Sequence, residues 1–199
     1  MNKRILVAAT AALVACGGGS SWSDPTTGNF SAQDTADVMG MVSSGFSAAV
    51  MRQAEPQMPI RPGASGAALT QTVNVTQSCV PTGQVSVVGS MDASCSVSGD
   101  CSFSGGLKLT LAACASPNGL VGDGYLDIGA SGSSSSTASS SSFSLHETVQ
   151  GGITVTRNGT TIGTCGINVT VDVSETLTGS VSSSTVHVSG TICRQPIAQ

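Results

Sequence analysis

From Ala68 to the C-terminus the chain alternates apolar and polar residues with a period of two, and this alternation restricts its fold more than any other feature. Val73 and Val75 alternate with Thr72, Asn74 and Thr76. Leu107, Leu109 and Leu111 alternate with Lys108 and Thr110, and Leu126 and Ile128 with Tyr125 and Asp127. Phe143, Leu145 and Val149 alternate with Ser144, His146 and Thr148. Ile167, Val169, Val171 and Val173 alternate with Asn168, Thr170, Asp172 and Ser174, and Val186, Val188 and Ile192 with Thr185, His187 and Thr191. Successive side chains of a strand point to opposite faces, so these runs predict antiparallel strands with one dry and one wet face. The connectors carry turn residues: Pro81-Thr82-Gly83, Pro117-Asn118-Gly119 and Asn158-Gly159, the last forming the clearest hairpin. Connectors this short leave no room for parallel crossovers. The expectation is an antiparallel meander of about eight strands over residues 68–199, forming a curved sheet or a barrel-like one. The Ser-rich stretch from Ser131 to Ser142 reads as a mobile loop, with Ser-rich strands flanking it and pairing of part of it left open.

The dry face needs a cover, and residues 31–55 supply a candidate. Ser31 is placed to cap a helix and Asp34 puts an acid in its first turn. Val38, Met39, Val42, Phe46, Ala49 and Val50 then recur at helical spacing. Gly40 and Gly45 weaken such a helix by roughly 1 kcal/mol each, so it depends on packing against the sheet. Residues 56–67, with Pro56, Pro59 and Pro62, read as a linker. The fold class is therefore mainly β with one N-terminal helix packed on the apolar face of the sheet, an α+β arrangement.

Aromatic residues make up only 3% of the chain, so the core is built from Val, Ile, Leu, Met and Ala, which bury less area each than Phe or Trp. Cysteines offset this. Cys79, Cys95, Cys101, Cys114, Cys165 and Cys193 all fall in the β region, and many pairings are open to six cysteines. In a meander, Cys79 and Cys114 end strands that run the same way and so meet at one end of the sheet. Cys95 and Cys101 flank one Gly-containing loop, which leaves Cys165 for Cys193. A disulfide set of this kind belongs in an oxidising compartment.

The first residues point to the same compartment. Lys3 and Arg4 form a positive start, and Ile5 to Val14 is an apolar run broken only by Thr10. The run is too short to span a bilayer, which takes about 20 apolar residues, and fits a secretory signal over residues 1–15. It ends in Leu13-Val14-Ala15-Cys16, which resembles the lipobox of bacterial lipoproteins. The resemblance implies cleavage before Cys16, a diacylglycerol on its sulfur and an acyl chain such as palmitate on its new amino group. Two or more acyl chains anchor a protein stably to a membrane. The family pattern keeps lipoproteins with Asp after the lipidated Cys in the inner membrane. Here that residue is Gly17, which implies the outer membrane of the cell envelope. Residues 16–30, beginning Gly17-Gly18-Gly19-Ser20-Ser21, read as a flexible tether.

Several function classes are excluded or disfavoured. Charged residues are 9% of the chain, against roughly 25% in typical soluble domains. Losing Lys3 and Arg4 with the signal lowers the net charge from −4 to about −6. Arg52, Arg61, Lys108, Arg157 and Arg194 are scattered, so no basic patch serves a nucleic acid. No Cys-x-x-Cys occurs and neither histidine has ligand spacing to a cysteine, so no metal is expected. Asp92 and Asp100 bracket the Cys95–Cys101 loop, and Asp123 and Asp127 surround Gly124; a surface calcium site is the alternative there, but without EF-hand spacing they read as turn residues. Nothing matches a Gly-x-Ser-x-Gly elbow. His146 and His187 lie on the polar faces of their strands, and His146 and Glu147 point to opposite faces, so no catalytic residue and no cofactor is expected. The Asn-x-Ser/Thr triplets at Asn29, Asn74, Asn158 and Asn168 follow from a Thr-rich strand composition.

The sequence thus reads as a membrane-anchored, non-catalytic lipoprotein, a binding or structural module whose partner is the membrane and a further protein or lipid. The alternative is a carrier of an apolar ligand such as a lipid, held between helix and sheet. The two readings differ in whether the dry face is filled by side chains or left hollow.

Overall fold

The computed structural model describes residues 22–54, 68–137 and 139–198, the side chains of 44–54 excepted. One helix, α1 (Ala32–Ala54), precedes eight strands. These are β1 (Ala68–Ser78), β2 (Gln84–Cys95), β3 (Cys101–Ala115), β4 (Leu120–Ser136), β5 (Ser140–Arg157), β6 (Thr160–Thr178), β7 (Val181–Ile192) and β8 (Gln195–Ala198). Each strand pairs antiparallel with its sequence neighbours, and β1 and β8 are the edges of one open sheet. The linker read over residues 56–67 lies outside the described residues.

The strand register stacks the apolar residues into continuous rows. One row runs Val75, Val87, Leu109, Leu126, Gly151, Ile167 and Ile192, and the next runs Val73, Gly89, Leu107, Ile128, Val149, Val169 and Gly190. Leu109, Leu126, Ile153 and Val155 have no exposed surface. From α1, Val38, Met41 and Val42 join the same core cluster, with the helix lying over β1 to β4. Burying a Leu or Ile side chain contributes about 1.5–3 kcal/mol, so these rows dominate the stability. Gly122 on β4 leaves room for the Met41 side chain, which a Cβ there would crowd.

The ends of the elements follow their local chemistry. Ser31 caps α1 reciprocally with Asp34: the Asp34 N–H donates to Ser31 Oγ at 3.2 Å, and the Ser31 N–H donates to Asp34 Oδ2 at 3.0 Å. At the β5–β6 turn Asn158 and Gly159 both have positive φ, 51° and 77°, the conformation that a two-residue hairpin needs and that Asn and Gly adopt most readily.

Two regions differ from the sequence expectation. Ser131 to Ser142 is mostly paired strand: Ser131–Ser136 complete β4 and Ser140–Ser142 begin β5. The hydroxyls make this workable by bonding across the strands, Ser133 with Ser144 at 2.9 Å and Ser135 with Ser142 at 2.8 Å. Residues 22–30, read as part of the tether, are instead docked on the sheet. β7 leaves the edge of β6 beyond Ile167, and Thr27 takes the vacated place, exchanging backbone hydrogen bonds with Thr164 at 2.9 and 3.2 Å. Unpaired strand edges cost hydrogen bonds when buried, and this strap satisfies one.

Candidate functional site

Cys16, the expected lipidation site, lies outside the described residues, as does the whole signal peptide. The strap is the nearest described part of the chain, and it is firmly held. Thr26 is buried, its Oγ accepting from the Gly166 N–H at 2.9 Å and its carbonyl from Arg194 at 2.5 Å. Gly152 and Gly166 are register partners, and the space a Cβ would take at each is filled by Pro25, Thr26 and Asp24. These two glycines are the slot in which the strap sits.

The six sheet cysteines form three disulfides: Cys79–Cys114, Cys95–Cys101 and Cys165–Cys193. The first and third lie in the core, where Cys114 and Cys165 are buried, and the second closes the β2–β3 turn at the opposite end of the sheet. Cys193 follows β7 directly, and its N–H donates to the Gly166 carbonyl beside Cys165. Strap, helix start and this disulfide thus converge on one corner of the molecule.

That corner holds a charged lock. Asp34 is 5% exposed and pairs with Arg157 at the end of β5. Burial works against its charge, but the Ser31 hydroxyl, the Ser31 N–H and the Arg157 guanidinium outweigh it and hold the carboxyl below its ordinary value. Asp37, one turn on, accepts from Asn118 of the β3–β4 turn at 2.8 Å and from Gln33 at 3.0 Å. The helix is therefore tied to two separate hairpin turns.

The polar face carries the other concentration of functional groups. Asp92, Ser104, Ser131, His146, Asp172 and His187 form one row across β2 to β7. His146 Nδ1 donates to Asp172 Oδ1 at 2.7 Å, both side chains being about half exposed. Around them Ser131, Ser133, Ser144, Ser174, Thr185 and His187 line an open hollow of about 530 Å³. A neighbouring hollow of about 360 Å³ lies between Lys108, Asp127 and Gln150. There Lys108 pairs with Asp127 at 3.7 Å and stands 4.0 Å above the Tyr125 ring.

The row places Ser131, His146 and Asp172 in the order of a hydrolytic triad, but the surroundings do not suit acyl transfer. Such catalysis needs free backbone N–H groups or other donors aimed at a developing oxyanion. The floor here is the middle of a sheet, whose N–H groups are engaged in the ladders. The arrangement is an open, half-exposed polar row.

The remaining sequence candidates are dispersed. Asp92 accepts from Thr70 at 2.5 Å, Asp100 from Ser98 at 2.8 Å, and Asp123 from the Ala113 N–H at 2.7 Å, where β3 bulges. Among the described residues no group of His, Cys, Asp and Glu is arranged to hold a metal ion, and no helix is long and apolar enough to cross a membrane. Glu147, which the alternation sets on the face opposite His146, is fully buried on the dry face, between Ala130 and Val171 in the register. Its place two residues from both Leu145 and Val149 was the signal that it points inward. Compared with known protein families, curated proteins and solved structures, the chain matches none.

Proposed function

We propose that this chain is a non-catalytic lipoprotein of a bacterial cell envelope, anchored in the outer membrane through Cys16, and that its folded part works as a binding or structural module through its polar surface. The cysteine arithmetic carries the reading. The chain has seven cysteines; six are joined in disulfides within the sheet, and the one left over stands at the lipobox position, after Leu13-Val14-Ala15. Secreted chains with an odd cysteine call for a separate use of it, and acylation is that use here. Three disulfides suit the oxidising side of the inner membrane.

The packing of the dry face supports a module over a carrier. Helix side chains Val38, Met41 and Val42 meet Leu109, Leu111 and Leu126 in one buried cluster, where a carrier would keep a lined cavity for its ligand.

The test is fractionation of the chain expressed in a Gram-negative host with labelled palmitate. The wild type takes up label and sediments with outer membranes, and Cys16→Ser loses both. A wild-type chain recovered unlabelled in the soluble periplasm sinks the reading.

A further inference from the structure

The two edges of the sheet are treated differently. At the C-terminal side β8 is four residues long and contains Pro196, and the strap covers the end of β6 at Thr164. Short edge strands, proline and covering segments are the usual devices against strand addition. β1 has none of them. It runs for eleven residues, Ala-Leu-Thr-Gln-Thr-Val-Asn-Val-Thr-Gln-Ser, without charge or proline, and pairs with β2 in unbroken register. Among the described residues no strand pairs with its outer side.

Its sequence is also symmetric. About Asn74, Val73 mirrors Val75, Thr72 mirrors Thr76, Gln71 mirrors Gln77, and Thr70 mirrors Ser78 as a second hydroxyl. In an antiparallel pair directly opposed residues share a face, so two copies joined about a two-fold axis must be centred on a residue. Centring on Asn74 opposes like with like throughout: Val with Val and Gln with Gln on the inner face, Thr with Thr and Asn with Asn on the outer. Thr–Thr and β-branched pairs are stabilising in this setting, and with no charge on the strand nothing repels.

We propose that two copies of this chain pair through β1, antiparallel about a two-fold axis at Asn74, to join their sheets edge to edge. The contact is isologous and closed, the commonest symmetry among homo-oligomers. The open part of β7, residues 181–188, reads Val-Ser-Ser-Ser-Thr-Val-His-Val; its mirror about His187 spans only Val186 and Val188 before Ser189 is taken by β8, so β1 is the edge chosen. Pairing does not require the lipid anchor, although confinement to a membrane raises the effective concentration of the copies.

Photo-crosslinking of the full chain in cells tests this. With p-benzoylphenylalanine in place of Asn74, the expected product is a dimer-sized adduct whose cross-linked peptide joins position 74 to β1 of another copy. The same group in place of Ser184, on the exposed part of β7, gives no such adduct. Thr72→Lys with Thr76→Lys opposes like charges twice across the axis and lowers the adduct about tenfold; both residues are exposed, so the three disulfides and the melting temperature of the chain are retained. An adduct from position 74 to a different protein, equal adducts from 74 and 184, or a yield unmoved by the two lysines each overturns the proposal.

Discussion

The two ends of the sheet are built on different principles. At the end that holds the β3–β4 and β5–β6 turns, β2 to β6 bury their inner-face apolar residues, and the helix, the strap, two disulfides and the Asp34–Arg157 pair close over them. At the other end, past Leu145 and Val173, the strands continue as Ser- and Thr-rich ribbons exposed on their outer face and only half covered on the inner one. Cross-strand hydroxyl bonds, the stacked Phe103 and Phe143 rings at 6.0 Å, and the Cys95–Cys101 bridge hold that end. Strand pairing alone thus extends the sheet, while burial on one side decides where its stability lies. The polar hollow with His146, Asp172 and His187 sits at the boundary between the two.

This contrast orders the effects of mutation. Leu109→Ala, in the dry end, removes a side chain with no exposed surface and should cost about 3–4 kcal/mol in urea unfolding. Leu177→Ala, on the ribbon end, should cost under about 1 kcal/mol, and equal costs would break the contrast. Next come the disulfides. Replacing Cys79 and Cys114, or Cys165 and Cys193, with Ala frees loops with sequence separations of 35 and 28 and should cost about 3.5 kcal/mol each. Cys95 with Cys101, separated by 6, should cost about 2 kcal/mol.

Smaller still is the helix lock. Asp34→Asn loses the ion pair with Arg157 and the charge that strengthens its bonds to Ser31, with an expected cost of about 1–2 kcal/mol. Because the folded carboxyl is held below its ordinary value, 3.8, its contribution is fully present above that value. It fades as pH falls from there through the lower folded value. Wild type should therefore lose stability more steeply than Asp34→Asn over that acid range, and parallel curves would show that the pair contributes nothing. The smallest effect is Ser135→Ala, which removes one exposed cross-strand hydroxyl bond and should cost under about 0.5 kcal/mol.

Most of the architecture was legible because alternation reports the inner face of each strand directly. The meander then brought Cys79 to Cys114 and Cys165 to Cys193. What escaped was long-range register and polar pairing. Counted back from Asn158-Gly159 with regular pairing, His146 meets Val171. An extra residue in β6, between Val155 and Thr156 in the ladder, moves the partner to Asp172 and creates the polar row. Opposing polar-face His146 to dry-face Val171 already breaks the alternation and calls for one extra residue, but the pattern does not say where that residue falls. The Ser stretch was read mainly as a loop because low complexity suggests one; the pairing left open for part of it takes in most of it, because cross-strand hydroxyl bonds let serine occupy exposed strands. Residues 22–30 were misjudged because their composition resembles a tether, and the slot that receives them is made by two glycines far away in sequence.

The claim that separates a module from a carrier is that the dry face is filled by the chain's own side chains. Native mass spectrometry of the lipidated protein, released gently from membranes with its disulfides intact, tests it directly. The expected mass is that of the polypeptide from Cys16 with its covalent lipid, singly or as a pair of copies. A further apolar molecule bound in stoichiometric amount, released only when the fold is disrupted, would contradict it.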